Sequence, residues 1–502
     1  MIAKTLSASI ERIQSTNEAQ KFTLDIDHYL LKGYELDMQK EARDFSVKIE
    51  FKPFPGFSTS QLHRIDCSSN IRIYNSQVSY ILAAHSLNLY QTNADFFDAR
   101  PIVTLKGSIT QLATGGDESF DGKFLRLVIP VGKPGALSSS FRAIRGYHYN
   151  TDLKVARGEL IKVMINQAEY HLFTFQYNDQ SYLAVDTTET TQLSDFRKLS
   201  HSILLGLGFL FGDLHLNEGY VFSSLDADFS VVENLWYSSY RDSLLKGYGI
   251  YTTNAYSVVD MTSRTEQESE QRVDVAQQWS EKLEEITEGV FGKLCELFYE
   301  SEPFNRAAII VLEANLLPLE IKGSAYSAAL EAIASVIIEE FDADIPKPMA
   351  KPDFKNMKDK FFKILDSALP NIPANEGPRT VLVDRIHRLN NSTNFERLSL
   401  CFSLLGYRQL APYERDALKA RDKFQHGELP VADITDENVF RQVYHICMVL
   451  HRMIYTIVLL KIGFKGYIKN YPQLHAHITG IELNEGIFFE ICKESSQQGS
   501  AN

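Results

Sequence analysis

The feature that most constrains this chain is a change of hydrophobic period part-way along it. Over roughly the first 190 residues apolar positions alternate with polar ones, the two-residue period of half-buried strands. FSVKIEFK (45–52) sets Phe45, Val47, Ile49 and Phe51 against Ser46, Lys48, Glu50 and Lys52. Similar runs recur at IRIY (71–74), PIVTLKGSI (101–109), FLRLVIPV (124–131), LIKVMIN (160–166), YHLFTFQ (170–176) and SYLAVD (181–186), parted by breaks such as TGGDESFDGK (114–123). Short strands with turn-forming breaks predict an antiparallel sandwich or barrel-like domain. A helix is expected over Ser194–Leu210, then an aromatic-rich segment to about Met261.

Near Thr265 the period lengthens to three and four. Trp279, Leu283, Ile286, Val290, Leu294 and Leu297 trace one long amphipathic helix. A second is expected to start with Ser324 as its N-cap and to run through 327–341. IPKPMAKPD (345–353) reads as a linker, because proline cannot continue a helix. Further helices are expected around Phe354–Leu369, Val381–Leu389 and Phe395–Leu405. Pro412 suits the first turn of another, which should stop before Gly427 and Pro430. The last starts after Thr435, with Asp436 and Glu437 at its N-terminus, and buries Val443, Cys447, Leu450, Ile454 and Val458. The expected organisation is α+β: a β-rich N-terminal domain (1–225), a connecting segment (226–264) and an all-α helical bundle (265–495). A frayed polar tail is expected after Lys493.

With 44% hydrophobic and 23% charged residues, the composition is that of a globular protein. The first residues lack the apolar core of a secretory signal, and the longest apolar stretches fall short of the roughly 20 residues of a membrane span. Cys67, Cys295, Cys401, Cys447 and Cys492 form no CxxC pair, so neither a zinc site nor a disulfide framework is suggested. A cytoplasmic protein without a membrane partner is expected. The net charge of -13 excludes a surface uniformly attractive to nucleic acid. Yet Ile345–Lys423 holds 15 Lys/Arg against 9 Asp/Glu, a basic zone in an acidic protein.

That zone ends in ALKARDKFQHGEL (417–429), with Arg421, Asp422, His426 and Gly427 in the order R-D-x-x-x-H-G. As a bare pattern, Arg followed five residues later by His is weak: chance gives roughly 0.6 matches in this composition. Context adds weight, since the motif closes a helix, Gly427 stops it, and Phe424 can anchor the turn. Positions five apart lie about 140° apart around a straight helix, so Arg421 and His426 do not share a face. Fraying at Gly427, or a second copy of the motif from another subunit, would be needed to unite them. The plain alternative is a surface arginine and a C-capping histidine.

The R-D-x-x-x-H-G segment, together with DRIHRLNN and NFERLSLCFSLLG (384–406), resembles the HEPN superfamily, most closely the ApeA-type anti-phage proteins. These join a β-rich N-terminal domain to a C-terminal HEPN domain; the N-terminal likeness rests on that architecture and on LGFLFGDLHL (207–216). The resemblance implies an endoribonuclease without a metal or other cofactor, in which two HEPN domains face each other and the chain is a homo-oligomer. It implies Arg421, His426 and Asp422 as the catalytic residues, RNA (single-stranded or tRNA loops) as substrate, and abortive infection on a phage-derived trigger as outcome. The residues suit that chemistry. A histidine near its ordinary pKa can move the protons, and a guanidinium fork can hold phosphate oxygens. The products would be a 2′,3′-cyclic phosphate and a 5′-hydroxyl, with DNA resistant. Asp422 would orient His426 or Arg421. Glu331 could support the site from another helix, though a solvated helix face is its plainer role. The N-terminal domain would sense the trigger and hold the nuclease inhibited.

Two other classes fit less of the chain. One is a non-catalytic HEPN module for dimerisation or RNA binding, with a ligand-binding β-domain. The other is a carbohydrate- or protein-binding β-domain with a helical tail, for which the aromatics of 235–251 would serve. His475 and His477 would form a metal pair on one strand face, but no carboxylate or cysteine lies nearby in sequence. His445 and His451 suit helix packing. His63 and His148 have no nucleophile motif beside them.

Overall fold

The alternation at 45–52 becomes the strand Asp44–Phe51, with Phe45, Val47, Ile49 and Phe51 buried. In this computed structural model residues 3–26, 31–41, 44–53, 67–95, 102–131, 141, 144–151, 154–177, 179–215, 218–239, 245–246, 248–262, 266–368, 377–427 and 437–491 are described. His63, Pro430, Thr435, Asp436 and the tail after Lys493 lie outside them, as does the side chain of His148. The chain divides into two units, Met1–Asn305 and Arg306–Asn502. The strand Asn234–Ser239 pairs into the sheet beside Glu218–Ser224, so the β-rich region runs past residue 225. The unit boundary at 305/306 also falls later than the change of period near Thr265.

The first unit is built on one ladder of sixteen strands among the described residues. Its pairing is antiparallel except where Ala3–Thr5 runs parallel to Ile144–Thr151. Strands distant in the ladder meet face to face. The Phe45 and Tyr237 rings lie 4.8 Å apart, and Lys40 donates to Glu218 at 2.5 Å and to the Tyr237 hydroxyl at 2.7 Å. At one end, the strand Leu87–Asp95 carries a bulge between Leu89 and Gln91. The neighbouring Gly107 admits it, because a Cβ there would lie 2.5 Å from the Asn88 carbonyl oxygen.

Helix α1 (Ser7–Asn17) buries Ile10 and Ile13, and α2 (Leu193–Phe211) buries Phe196, Leu199 and its second half from Ser202 to Leu210. After α3 (Ala255–Thr262), the single helix expected through Trp279–Leu297 is two: α4 (Glu266–Ser280) and α5 (Glu288–Glu300). Thr287 explains the break. Its side chain accepts from the Val290 N–H as an N-cap, and Ile286 is drawn into a bridge with Phe141. Helix α5 packs on α2 and on the strand Lys154–Ile165.

Helix α6 (Glu302–Ala314), not expected from the sequence, leads to α7 (Leu319–Glu340). α7 begins after Pro318, so Ser324 lies inside it and is not its N-cap. Then follow α8 (Lys351–Ala368), α9 (Gly377–Arg388), α10 (Asn394–Leu404), α11 (Pro412–Gln425) and α12 (Glu437–Lys461). α10 starts with a capping box formed by Thr393 and Glu396. α7 packs against α10, α11 and α12. α7 and α12 are long and apolar enough to cross a membrane, against the expectation of shorter stretches. The apolar window of α12 is 89% buried inside the unit, which makes it the core helix. The unit is not all-helical, since Gly466–Lys469 pairs with Phe488–Ile491. Between them α13 (Tyr471–Leu474) and α14 (Ala476–Thr479) place His475 and His477 on helical turns, not on the expected strand.

Candidate functional site

The site builds outward from the end of α11. Pro412 occupies its first turn, and Glu414 closes the N-terminus by accepting from the Ala411 N–H at 2.8 Å. At the other end His426 takes the C-cap position and Gly427 has φ +73°, the left-handed conformation glycine tolerates best. Phe424 is buried, and its ring lies so close to α7 that a Cβ on Gly323 would approach it to 2.7 Å. Ser324 donates to the Phe424 carbonyl at 2.7 Å. Thus the residue expected to start α7 instead caps the end of α11.

Arg421 is 0% exposed, which rules out the surface arginine considered above. Its Nη1 donates to Asp422 Oδ1 at 2.6 Å and its Nη2 to Gln425 Oε1 at 2.8 Å. Nη2 also pairs with Glu331 of α7, and Gln425 Nε2 donates to Glu331 Oε2 at 2.6 Å. Glu331 is therefore bound to the arginine rather than merely solvated on a helix face. Arg421 Nε is buried with no hydrogen-bond partner among the described residues. Burial lowers the guanidinium pKa from its ordinary value, and the Asp422 carboxylate opposes that shift.

Arg421, Asp422, Glu331 and Gln425 thus form one cluster, while His426 is exposed. Among the described residues, its ring makes no hydrogen bond to the cluster. On α11 the two positions are five residues apart, about 140° around a straight helix. Sequence reasoning missed Gln425, although an Arg and a Gln four apart are neighbours on a helix face.

His451 and His475 lie in packing. His451 of α12 is 0% exposed between Tyr326 and Tyr455, with ring centroids at 5.5 and 4.7 Å, and burial pushes its pKa down to about 3. His475 accepts from or donates to the Tyr444 hydroxyl at 3.0 Å through Nδ1. No group of three or more His, Cys, Asp or Glu side chains among the described residues is arranged to hold a metal. Of the aromatics of 235–251, Trp236, Tyr237 and Tyr251 serve the core, at 4%, 0% and 4% exposure. No family model, curated protein or solved structure matches this chain.

Proposed function

We propose that the C-terminal unit is a HEPN-type endoribonuclease acting in anti-phage defence, with Arg421 and His426 as its working pair. One observation carries this proposal: a fully buried guanidinium, gripped by partners that themselves reach solvent, lies five residues from an exposed imidazole at a fixed helix end. Asp422 and Glu331 side chains are 47% and 39% exposed, so an RNA phosphate can approach the fork by displacing one carboxylate. His426 would take the proton of the 2′-hydroxyl. The freed oxygen then forms the bond to phosphorus as the bond to the 5′-oxygen breaks, leaving a 2′,3′-cyclic phosphate. The departing oxygen needs a proton, which the His426 of a second copy would supply in a two-fold dimer. Asp422, Glu331 and Gln425 are positioning residues that fix the guanidinium.

A second function has its own support. Three acceptors already occupy the guanidinium, as they would in an arginine that simply ties α11 to α7. A non-catalytic HEPN module for RNA binding or dimerisation would need no more. The two are separated by incubating the intact protein with single-stranded and stem-loop RNA and mapping the new ends. His426→Ala should lower cleavage by about 100-fold or more, without moving the melting temperature of this exposed position. RNA left uncleaved by the intact protein would leave the second function standing, and cleavage undiminished in His426→Ala would remove His426 from the working pair.

A further inference from the structure

The strand Phe124–Val131 presents different chemistry on its two faces. On one, Arg126 pairs with Asp186 at 2.7 Å, both fully buried. On the other, Leu127 and Ile129 floor a pocket of about 410 Å³ closed by α2, within the range of about 300–1,000 Å³ usual for small-molecule sites. Leu204 adds to the apolar floor, and Ser194, Arg197, Lys198, His201 and His215 supply the polar lining. None of these lining side chains is acidic. In a chain of net charge -13, the pocket therefore collects positive charge and excludes negative.

Both cations, Arg197 and Lys198, are held in place by aromatic rings. The Arg197 guanidinium lies 4.4 Å over Trp236, and Lys198 Nζ lies 4.3 Å from the Tyr299 ring. Among the described residues neither is in an ion pair. A stacked guanidinium keeps its N–H donors at the edge of its plane, so Arg197 remains able to grip an anion. A guanidinium, an ammonium and a serine hydroxyl together offer more donors than the two oxygens of a carboxylate can use. They suit the oxygens of a phosphate.

We propose that this pocket binds a small phosphate monoester with a flat or apolar body, the phosphate against Arg197, Lys198 and Ser194 and the body on Leu127, Ile129 and Leu204. The site lies wholly within the N-terminal unit and is independent of any ribonuclease activity. Isothermal calorimetry on the intact protein tests it, with adenosine monophosphate, adenosine, inorganic phosphate and decanoate as probes. Adenosine monophosphate should bind, with adenosine and inorganic phosphate each at least tenfold weaker. Lys198→Gln should weaken it at least fivefold with an unchanged melting temperature, Leu204→Trp should abolish it by filling the floor, and Arg421→Gln should leave it intact. No binding at millimolar adenosine monophosphate, affinity unaltered in Lys198→Gln, loss in Arg421→Gln, or a preference for decanoate would each overturn the assignment.

Discussion

Arg126 in the N-terminal unit and Arg421 in the C-terminal unit are both 0% exposed, but they are buried in different company. Arg126 gives Nε and Nη2 to the two oxygens of Asp186 at 2.7 and 2.8 Å, and Nη1 to the Thr5 carbonyl at 2.6 Å and the Ser9 hydroxyl at 3.3 Å. Phe229 covers its face at 4.1 Å, and Asp186 is itself 0% exposed. Every charge there is matched inside the fold and closed off from water. Arg421 is instead bound to carboxylates that keep one side in solvent, and its Nε has no partner among the described residues. A sealed pair can contribute only to the fold, whereas a pair open on one side can exchange partners with a ligand.

The comparison can be broken by substitution. Arg126→Met should cost about 3–5 kcal/mol, because it strands Asp186 as an unpaired buried charge. Denaturant unfolding of the variant would show it, and a loss below 1 kcal/mol would mean that water reaches this site. A second test extends the contrast to a sealed imidazole. His451 has a folded pKa of about 3, below the ordinary value of about 6.5. The unfolded chain therefore binds the extra proton first as pH falls. The stability tied to a neutral His451 is complete above pH ~6.5 and declines toward pH ~3, by about 2 kcal/mol between pH 7 and pH 5. His475, whose pKa is pushed down to about 4 by burial and by His477, adds a slope of the same sign. His451→Leu should flatten the measured dependence; an unchanged slope would place the titration elsewhere. Smallest should be Arg421→Gln, at about 1–2 kcal/mol of stability, since Asp422 and Glu331 can rehydrate once released. Its effect on cleavage should far exceed that; a stability loss equal to that of Arg126→Met would make the two arginines equivalent.

How much of this was legible depended on sequence distance. The strand at 44–51 and helix α11 were readable because periodicity and end signals act over a few residues. An arginine inside FLRLVIPV marks a buried charge, but its partner Asp186 is fixed by strand register and could not be named. Glu331 lies far from Arg421 in the chain and meets it only through the packing of α7 on α11. The break at 281–287 was missed because the apolar spacing continues through it, while the Thr287 cap and the Phe141 bridge override that spacing. The turn carrying His475 and His477 has too few residues for any period to be read.

The bulge between Leu89 and Gln91 lies in the terminal strand of the ladder, where Tyr90 is 68% exposed. A straight outer strand would offer its free amides and carbonyls as a template for another molecule. Here the kink interrupts the regular spacing that a foreign strand would have to match. That irregularity makes this outer strand a poorer template for pairing with a strand of another molecule than a straight one would be.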